Sequence, residues 1–222
     1  MITSKQNIVF FDVDNTLFDG YTQQYFVRFL RRKKYLDTLH LIIGALWFVL
    51  YRARLIKNEE WGMNMLLSRL KGLNKNQYDS LFDEFVARIV FPRLYPAALE
   101  QIKNHKDSGA TIILLSTSLE PIIKRIAEHV GADQYIATRI LFDNGICSGK
   151  IDGRTVTGSY KYQWAKRYLA ERNDVETIYV YADHYSDYNL LKMASNPVAV
   201  NPDKILKSKA DKHHWIIANY TL

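Results

Sequence analysis

The 222-residue chain is long enough to bury a sizeable core as one domain or as one domain carrying a smaller insert, and its 24% charged and 48% hydrophobic residues exclude a disordered polypeptide. A single cysteine, Cys147, excludes an internal disulfide and a cysteine-based zinc cluster, so a reducing, cytoplasmic setting is expected. The net charge of +7 is concentrated, because residues 20–95 hold 13 Lys and Arg against 6 Asp and Glu while the remainder is balanced.

The first apolar run, Ile8-Val9-Phe10-Phe11, reads as a buried strand and ends at Asp12, which makes it too short for a secretory signal core. Strand alternation sends Asp12 and Asp14 to the same side, at the carboxyl end where open α/β sheets bind ligands. Carboxylates are rarely buried unless they are paired or hold a metal, so two of them here suggest a divalent cation and work on a phosphate. Asp14-Asn15 equally fits a plain turn after the strand.

Residues 20–95 show helical periodicity and no strand alternation. Tyr25, Phe26, Phe29 and Leu30 form one apolar stripe, Leu66, Leu67 and Leu70 another, and Asn74 precedes a third made of Tyr78, Leu81, Phe82, Phe85, Val86 and Ile89, up to Pro92. These faces need one another, which predicts a small helical bundle inserted after the first strand. Arg28, Arg31, Arg32, Lys33, Lys34, Arg52, Arg54 and Lys57 face only Asp37 as counter-charge. They fit a solvated helical face, or a surface attracting an anionic substrate, an acidic membrane or nucleic acid. No nucleic-acid-reading motif accompanies them, so no nucleic-acid partner is expected. The run from Leu41 to Tyr51 is apolar all round and covers ~17 Å as a helix against the ~30 Å core of a bilayer, so it does not span one. It is expected to be a core helix of the bundle, and its basic flanks also fit contact with an anionic membrane interface or a lipid-like substrate.

From Pro96 the pattern changes to alternating helices and strands. A helix from Pro96 stops at Gly109, a strand runs from Ala110 to Ser116, and a second helix spans about Pro121–Val130. Ile136–Phe142 and Ile146–Ile151 flank Asp143-Asn144-Gly145, a hairpin signal. A helix from about Tyr160 to Glu171 leads to the strand Thr177–Ala182, which ends at Asp183. Pro197–Val200 and His214–Ile217 read as short strands around a last helix. The predicted fold class is therefore α/β, a doubly wound, mostly parallel Rossmann-like sheet with an inserted α-helical bundle. The division is 1–19 with 96–222 for the core and 20–95 for the helical cap.

Three further polar stretches fall where this architecture presents groups to one sheet edge: Ser116-Thr117-Ser118, Lys161 after Gly158-Ser159-Tyr160, and Asp183-His184-Tyr185-Ser186-Asp187. With Asp12-Val13-Asp14-Asn15-Thr16 they make the chain resemble the haloacid dehalogenase superfamily of aspartate-nucleophile phosphohydrolases, in its phosphoserine-phosphatase-like branch with a helical cap. Asp12 to Thr16 look like the first motif, Ser116 the second, Lys161 the third, and Asp183 with Asp187 the fourth. The tail Asn196-Pro197-Val198-Ala199-Val200-Asn201-Pro202-Asp203 is also similar to that branch.

The resemblance implies a Mg2+-dependent phosphomonoester hydrolase. Asp12 would be the nucleophile and Asp14 the general acid and base. Mg2+ would be held by Asp12, Asp183 and the backbone carbonyl of Asp14. Ser116 and Lys161 would bind the phosphoryl group, and Asp187 would orient Lys161 or a metal-bound water. The substrate is expected to be a small phosphorylated metabolite or a lysophospholipid-type phosphate. Phosphoserine is disfavoured, because Tyr21, Thr22, Gln23 and Gln24 supply no glutamate for a substrate amine. Asn15 and Ala182 depart from the residues usual in these motifs, and His184-Tyr185 are bulkier than usual. A phosphotransferase or mutase shares the same intermediate, and a non-catalytic membrane- or protein-binding module is the reading from outside enzymology. His213-His214 form no metal site if they lie on a strand, where neighbours face opposite ways, and His184 reads as an exposed loop residue.

Overall fold

A computed structural model describes residues 5–38, 42, 43, 46 and 59–222. Six strands form a sheet in the order β3-β2-β1-β6-β7-β8, every neighbouring pair parallel. These are β1 (Gln6–Phe11), β2 (Thr111–Leu119), β3 (Gln134–Thr138), β6 (Val175–Ala182), β7 (Asn196–Val200) and β8 (Ile216–Ala218). β1 is central, and Ile8, Val9, Phe10 and Phe11 are all buried because helices cover both faces of the sheet. Val9 and Phe11 join one apolar cluster with helices α4 (Pro96–Asp107) and α5 (Glu120–Val130). Ile8 and Phe10 join the other with α6 (Gly158–Ala170), α7 (Tyr188–Lys192) and α8 (Lys204–His213). The doubly wound α/β sheet is thus the one its sequence predicts.

Between β1 and α4 lie α1 (Thr22–Arg32), α2 (Glu59–Leu67) and α3 (Lys75–Phe85). The predicted apolar stripes face inward: Phe26 and Phe29 of α1 meet Phe82 and Phe85 of α3, with Phe26 and Phe82 stacked at 4.8 Å and Leu30 buried beside them in the same apolar cluster. Asn74 starts α3 with a capping box, its side chain accepting from the Gln77 amide while Gln77 accepts from the Asn74 amide. After Phe85 the chain continues through a π-helical turn, Val86–Val90, and a 3-10 turn, Phe91–Arg93.

Four sequence expectations change. β2 runs on to Leu119, so Ser116 and Ser118 lie inside the strand rather than at and beyond its end. Both hydroxyls have buried partners, which lets polar residues continue the strand. The segment 136–142 is divided between β3 in the main sheet and β4 (Ile140–Asp143), which pairs antiparallel with β5 (Ile146–Ile151) across Asn144-Gly145, both at positive φ. That hairpin packs on the helical segment: the Cys147 amide donates to Leu73 O at 2.9 Å and Gly72 donates back to Cys147 O at 2.9 Å. His213 ends α8 and His214 takes a left-handed cap with φ 56°, so the strand begins at Ile216, two residues later than expected. Finally, in the apolar run 41–51, Ile42, Ile43 and Leu46 are helical and exposed, so these three do not help form a buried core; the rest of that run lies outside the described residues.

Candidate active site

The buried charged side chains among the described residues are Asp12, Asp14, Lys161, Asp183 and Asp187. All five gather beyond the carboxyl ends of β1 and β6, the two central strands, whose register sets Phe11 beside Tyr181. The Asp12 amide continues this ladder by donating to Tyr181 O at 2.9 Å. The chain then turns sharply, with the amides of Thr16, Leu17 and Phe18 all donating to Val13 O. Asn15 sits in this turn at φ 54°, a left-handed conformation that asparagine tolerates better than most residues.

Lys161 comes from the first turn of α6, where Thr157 caps the helix by accepting from the Tyr160 amide. Its Nζ donates to Asp12 Oδ1 at 2.7 Å and to Asp187 Oδ2 at 2.8 Å. Burial alone would lower its pKa, but the two carboxylates override this and hold the ammonium charged. Gly158 lets α6 come this close: a Cβ there would stand 2.3 Å from Ser186 O. Asp183 ends β6. Asn15 Nδ2 donates to its Oδ2 at 3.0 Å, and Asn201 Nδ2 in turn holds Asn15 O at 3.3 Å. The backbone of Asp183 is fixed by Asp203, whose amide donates to Asp183 O at 2.9 Å.

The electrostatics are lopsided, with four carboxylic side chains around one ammonium. Burial, reinforced by the charge of Asp12, pushes Asp183 up to about 8. Burial also raises Asp187 against the pull of Lys161. Asp14 is pushed up to about 7 by burial and by Asp12, although the Thr22 amide donates to its Oδ1 at 2.8 Å. A cluster so short of positive charge fits a divalent cation, and Asp187 Oδ1 is buried with no partner among the described residues. Among those residues no three His, Cys, Asp or Glu side chains form a ready metal cage. Mg2+ needs none, since it is held by one or two carboxylates and keeps several waters.

The structure therefore brings together Asp12, Asp14, Lys161, Asp183 and Asp187, with Ser116 joined through Ser118 and Thr22 to Asp14. His213 lies elsewhere, bonded to Tyr188 at 3.0 Å, and His184 is exposed beside Asp203. Sequence reasoning missed Thr22 and Ser118, and it read Asn15 as a turn residue and as a departure from a motif, not as a partner of Asp183. The positive φ of Asn15 and the bond it makes to Asp183 explain it. The missed pair carries no signal in the sequence, because the two residues meet across 96 positions.

Residues 9–192 match the family model described as haloacid dehalogenase-like hydrolase. The chain belongs to this family. Among curated relatives of this hydrolase is the inhibition of morphological differentiation protein of Streptomyces azureus, 30% identical over 71% of the chain; the chain spans only 58% of that protein's length. Phosphoserine phosphatase SerB1 of Mycobacterium tuberculosis is 27% identical over 96% of the chain and 70% of its own length. Histidinol-phosphatase of Neisseria meningitidis is 24% identical over 97% of the chain and 99% of its own length. A solved structure from Bordetella pertussis Tohama I, described as a protein with unknown function, superposes with a TM-score of 0.85 at 21% identity, covering 97% of this chain and 99% of that one.

Proposed function

We propose that this family member is a Mg2+-dependent phosphomonoester hydrolase working through an aspartyl-phosphate on a small phosphorylated metabolite. The observation that carries the reading is the bridge of Lys161 between Asp12 and Asp187, which fixes one carboxylate as a positioned nucleophile in a buried acidic cluster. In the first half-reaction an Asp12 oxygen forms a bond to phosphorus as the ester P–O bond breaks. The departing oxygen takes the proton of the Asp14 carboxyl and leaves as an alcohol. In the second, water forms a bond to phosphorus, Asp14 takes its proton, and the P–O bond to Asp12 breaks to release phosphate. A pKa near 7 lets Asp14 hold the proton first and accept one later. Lys161 offsets charge on the phosphoryl group and on Asp12, and the Ser116 hydroxyl holds a phosphoryl oxygen. When bound by Asp12, Asp183 and the Asp14 carbonyl, Mg2+ supplies the positive charge that lets an anionic nucleophile meet an anionic phosphate.

The core, 1–19 with 96–222, does this chemistry, and the helical cap, 20–95, selects the substrate. The hairpin Ile140–Ile151 of the core packs against the cap through its backbone bonds to Gly72 and Leu73. Phosphoserine stays disfavoured for want of an acid among residues 21–24, and a lysophospholipid-type phosphate or a membrane contact would rest on the run 41–51. The test is a panel of phosphomonoesters with Mg2+ or EDTA. Turnover in Mg2+ alone supports the reading, and turnover unaffected by EDTA overturns it. Adding an alcohol acceptor tells hydrolysis from phosphoryl transfer: free phosphate as the main product supports a hydrolase.

A further inference from the structure

We propose that Thr22 is a positioning residue for the acid step, its buried hydroxyl locking the first turn of α1 so that the Thr22 amide fixes the carboxyl of Asp14. The inference rests on the reading of Asp14 as the general acid. α1 opens without a cap of its own: Tyr21 at its N-cap makes no side-chain bond, and the first turn holds no acidic residue. The free amide of Thr22 goes instead to Asp14 Oδ1 at 2.8 Å, so the carboxyl of one motif caps the first helix of the insert. That bond holds its geometry only if the helix end is itself fixed. Thr22 Oγ1 does this by meeting Ser118 Oγ at 2.6 Å, both side chains fully buried, and the Ser118 amide donates onward to Ser116 Oγ at 3.1 Å. One chain of bonds thus runs from the acid through α1 and β2 to Ser116, the residue proposed above to hold the phosphoryl group. Where the insert docks, the proton donor is aimed.

A misplaced acid should harm only those substrates whose leaving oxygen needs a proton as it departs. Thr22→Val keeps the side-chain shape and the amide while deleting the hydroxyl, which also acts on the Asp14 carboxylate directly; Ser118→Ala, which leaves that hydroxyl in place, separates the locking role from the direct contact. The test compares kcat on an alkyl phosphate, glycerol phosphate, with kcat on p-nitrophenyl phosphate, whose leaving group departs as a stable anion. Thr22→Val is expected to lose about 10-fold on the alkyl ester and less than about 3-fold on the aryl ester, in the same sense as Asp14→Asn but smaller, since general acid catalysis as a whole contributes about 100- to 10,000-fold. Thr22→Ser, which restores the hydroxyl, should recover the alkyl rate. Ser118→Ala removes the partner from the other side and should show the same selective loss, so it decides the matter if Thr22→Val does not fold. Equal losses on both esters, or no loss, overturn the inference and leave the hydrolase reading standing. Wild-type protein that hydrolyses neither ester with Mg2+ overturns that reading and the inference with it.

Discussion

Lys161 and Asp187 meet at 2.8 Å inside the protein, and the same ammonium lies 2.7 Å from Asp12, which follows β1, 149 positions earlier in the chain. The pairing does two things at once. It neutralises part of a buried acidic cluster, and it sets a positive charge directly on the carboxylate proposed as the nucleophile. Lys161→Met should therefore abolish turnover and also destabilise the fold by about 3–5 kcal/mol, because breaking a buried pair leaves uncompensated charge. Denaturant unfolding beside a turnover assay checks both. Lys161→Arg should restore charge but not activity, since a forked guanidinium does not fit a fully buried ammonium site.

The raised carboxyls predict the direction of the pH dependence. Asp14 and Asp183 titrate near 3.9 in an unfolded chain and at about 7 and about 8 in the folded one. Between those values the folded state binds more protons than the unfolded state, so stability falls as pH rises. In EDTA the melting temperature should thus decline steadily from about pH 4 to about pH 8 through these two groups. Mg2+ competes with the proton at Asp183, so the stabilisation it gives should grow over the same range. A Mg2+ effect that shrinks with rising pH would contradict this assignment.

Gly158 is required by contact rather than by backbone angle. Gly158→Ala would place a methyl 2.3 Å from Ser186 O, and the neighbour is backbone with little freedom to yield. The first turn of α6 must then move away from the Asp183–Asp187 loop, taking Lys161 with it. The expected result is a loss of about 1–3 kcal/mol from overpacking and a drop in kcat of at least about 10-fold, read by thermal melting and steady-state kinetics.

Arg125 ties the helical insert to the core. From α5 its Nε reaches Asp83 Oδ1 at 2.6 Å and its Nη2 reaches Asp79 O at 3.2 Å, both on α3, while Nη1 bonds Pro121 O at 2.9 Å on its own helix. Arg125→Met should cost about 1 kcal/mol, because Asp83 is largely exposed and screened. It should also speed limited proteolysis near α3, with kcat on p-nitrophenyl phosphate unchanged.

Much of this was legible in the sequence because local patterns and tertiary demands agree. The run Ile8–Phe11 is buried on both sides, and its apolar residues say so. Asn74 with Gln77 is a capping box in sequence and in space. Asp12, Lys161, Asp183 and Asp187 could be placed together because each closes a strand or opens a helix at the same sheet edge. What stayed hidden depends on contacts distant in the chain. The extension of β2 past Ser116 needs Thr22 and Thr138 as hydrogen-bond partners, the latter donating to Thr117 O at 3.0 Å. The hairpin sits against the insert through Leu73 and Cys147, and neither residue type announces that pairing. Asn15 looked anomalous until its backbone angle and its bond to Asp183 were known.

Whether Asp12 carries the phosphoryl group is read directly by an acid quench during turnover of a phosphomonoester in Mg2+, followed by mass spectrometry of the peptide spanning Asp12. A phosphoryl adduct on Asp12 is expected, and in Asp12→Asn neither adduct nor turnover. Undiminished turnover by Asp12→Asn, or an adduct on another residue, would contradict this role for Asp12.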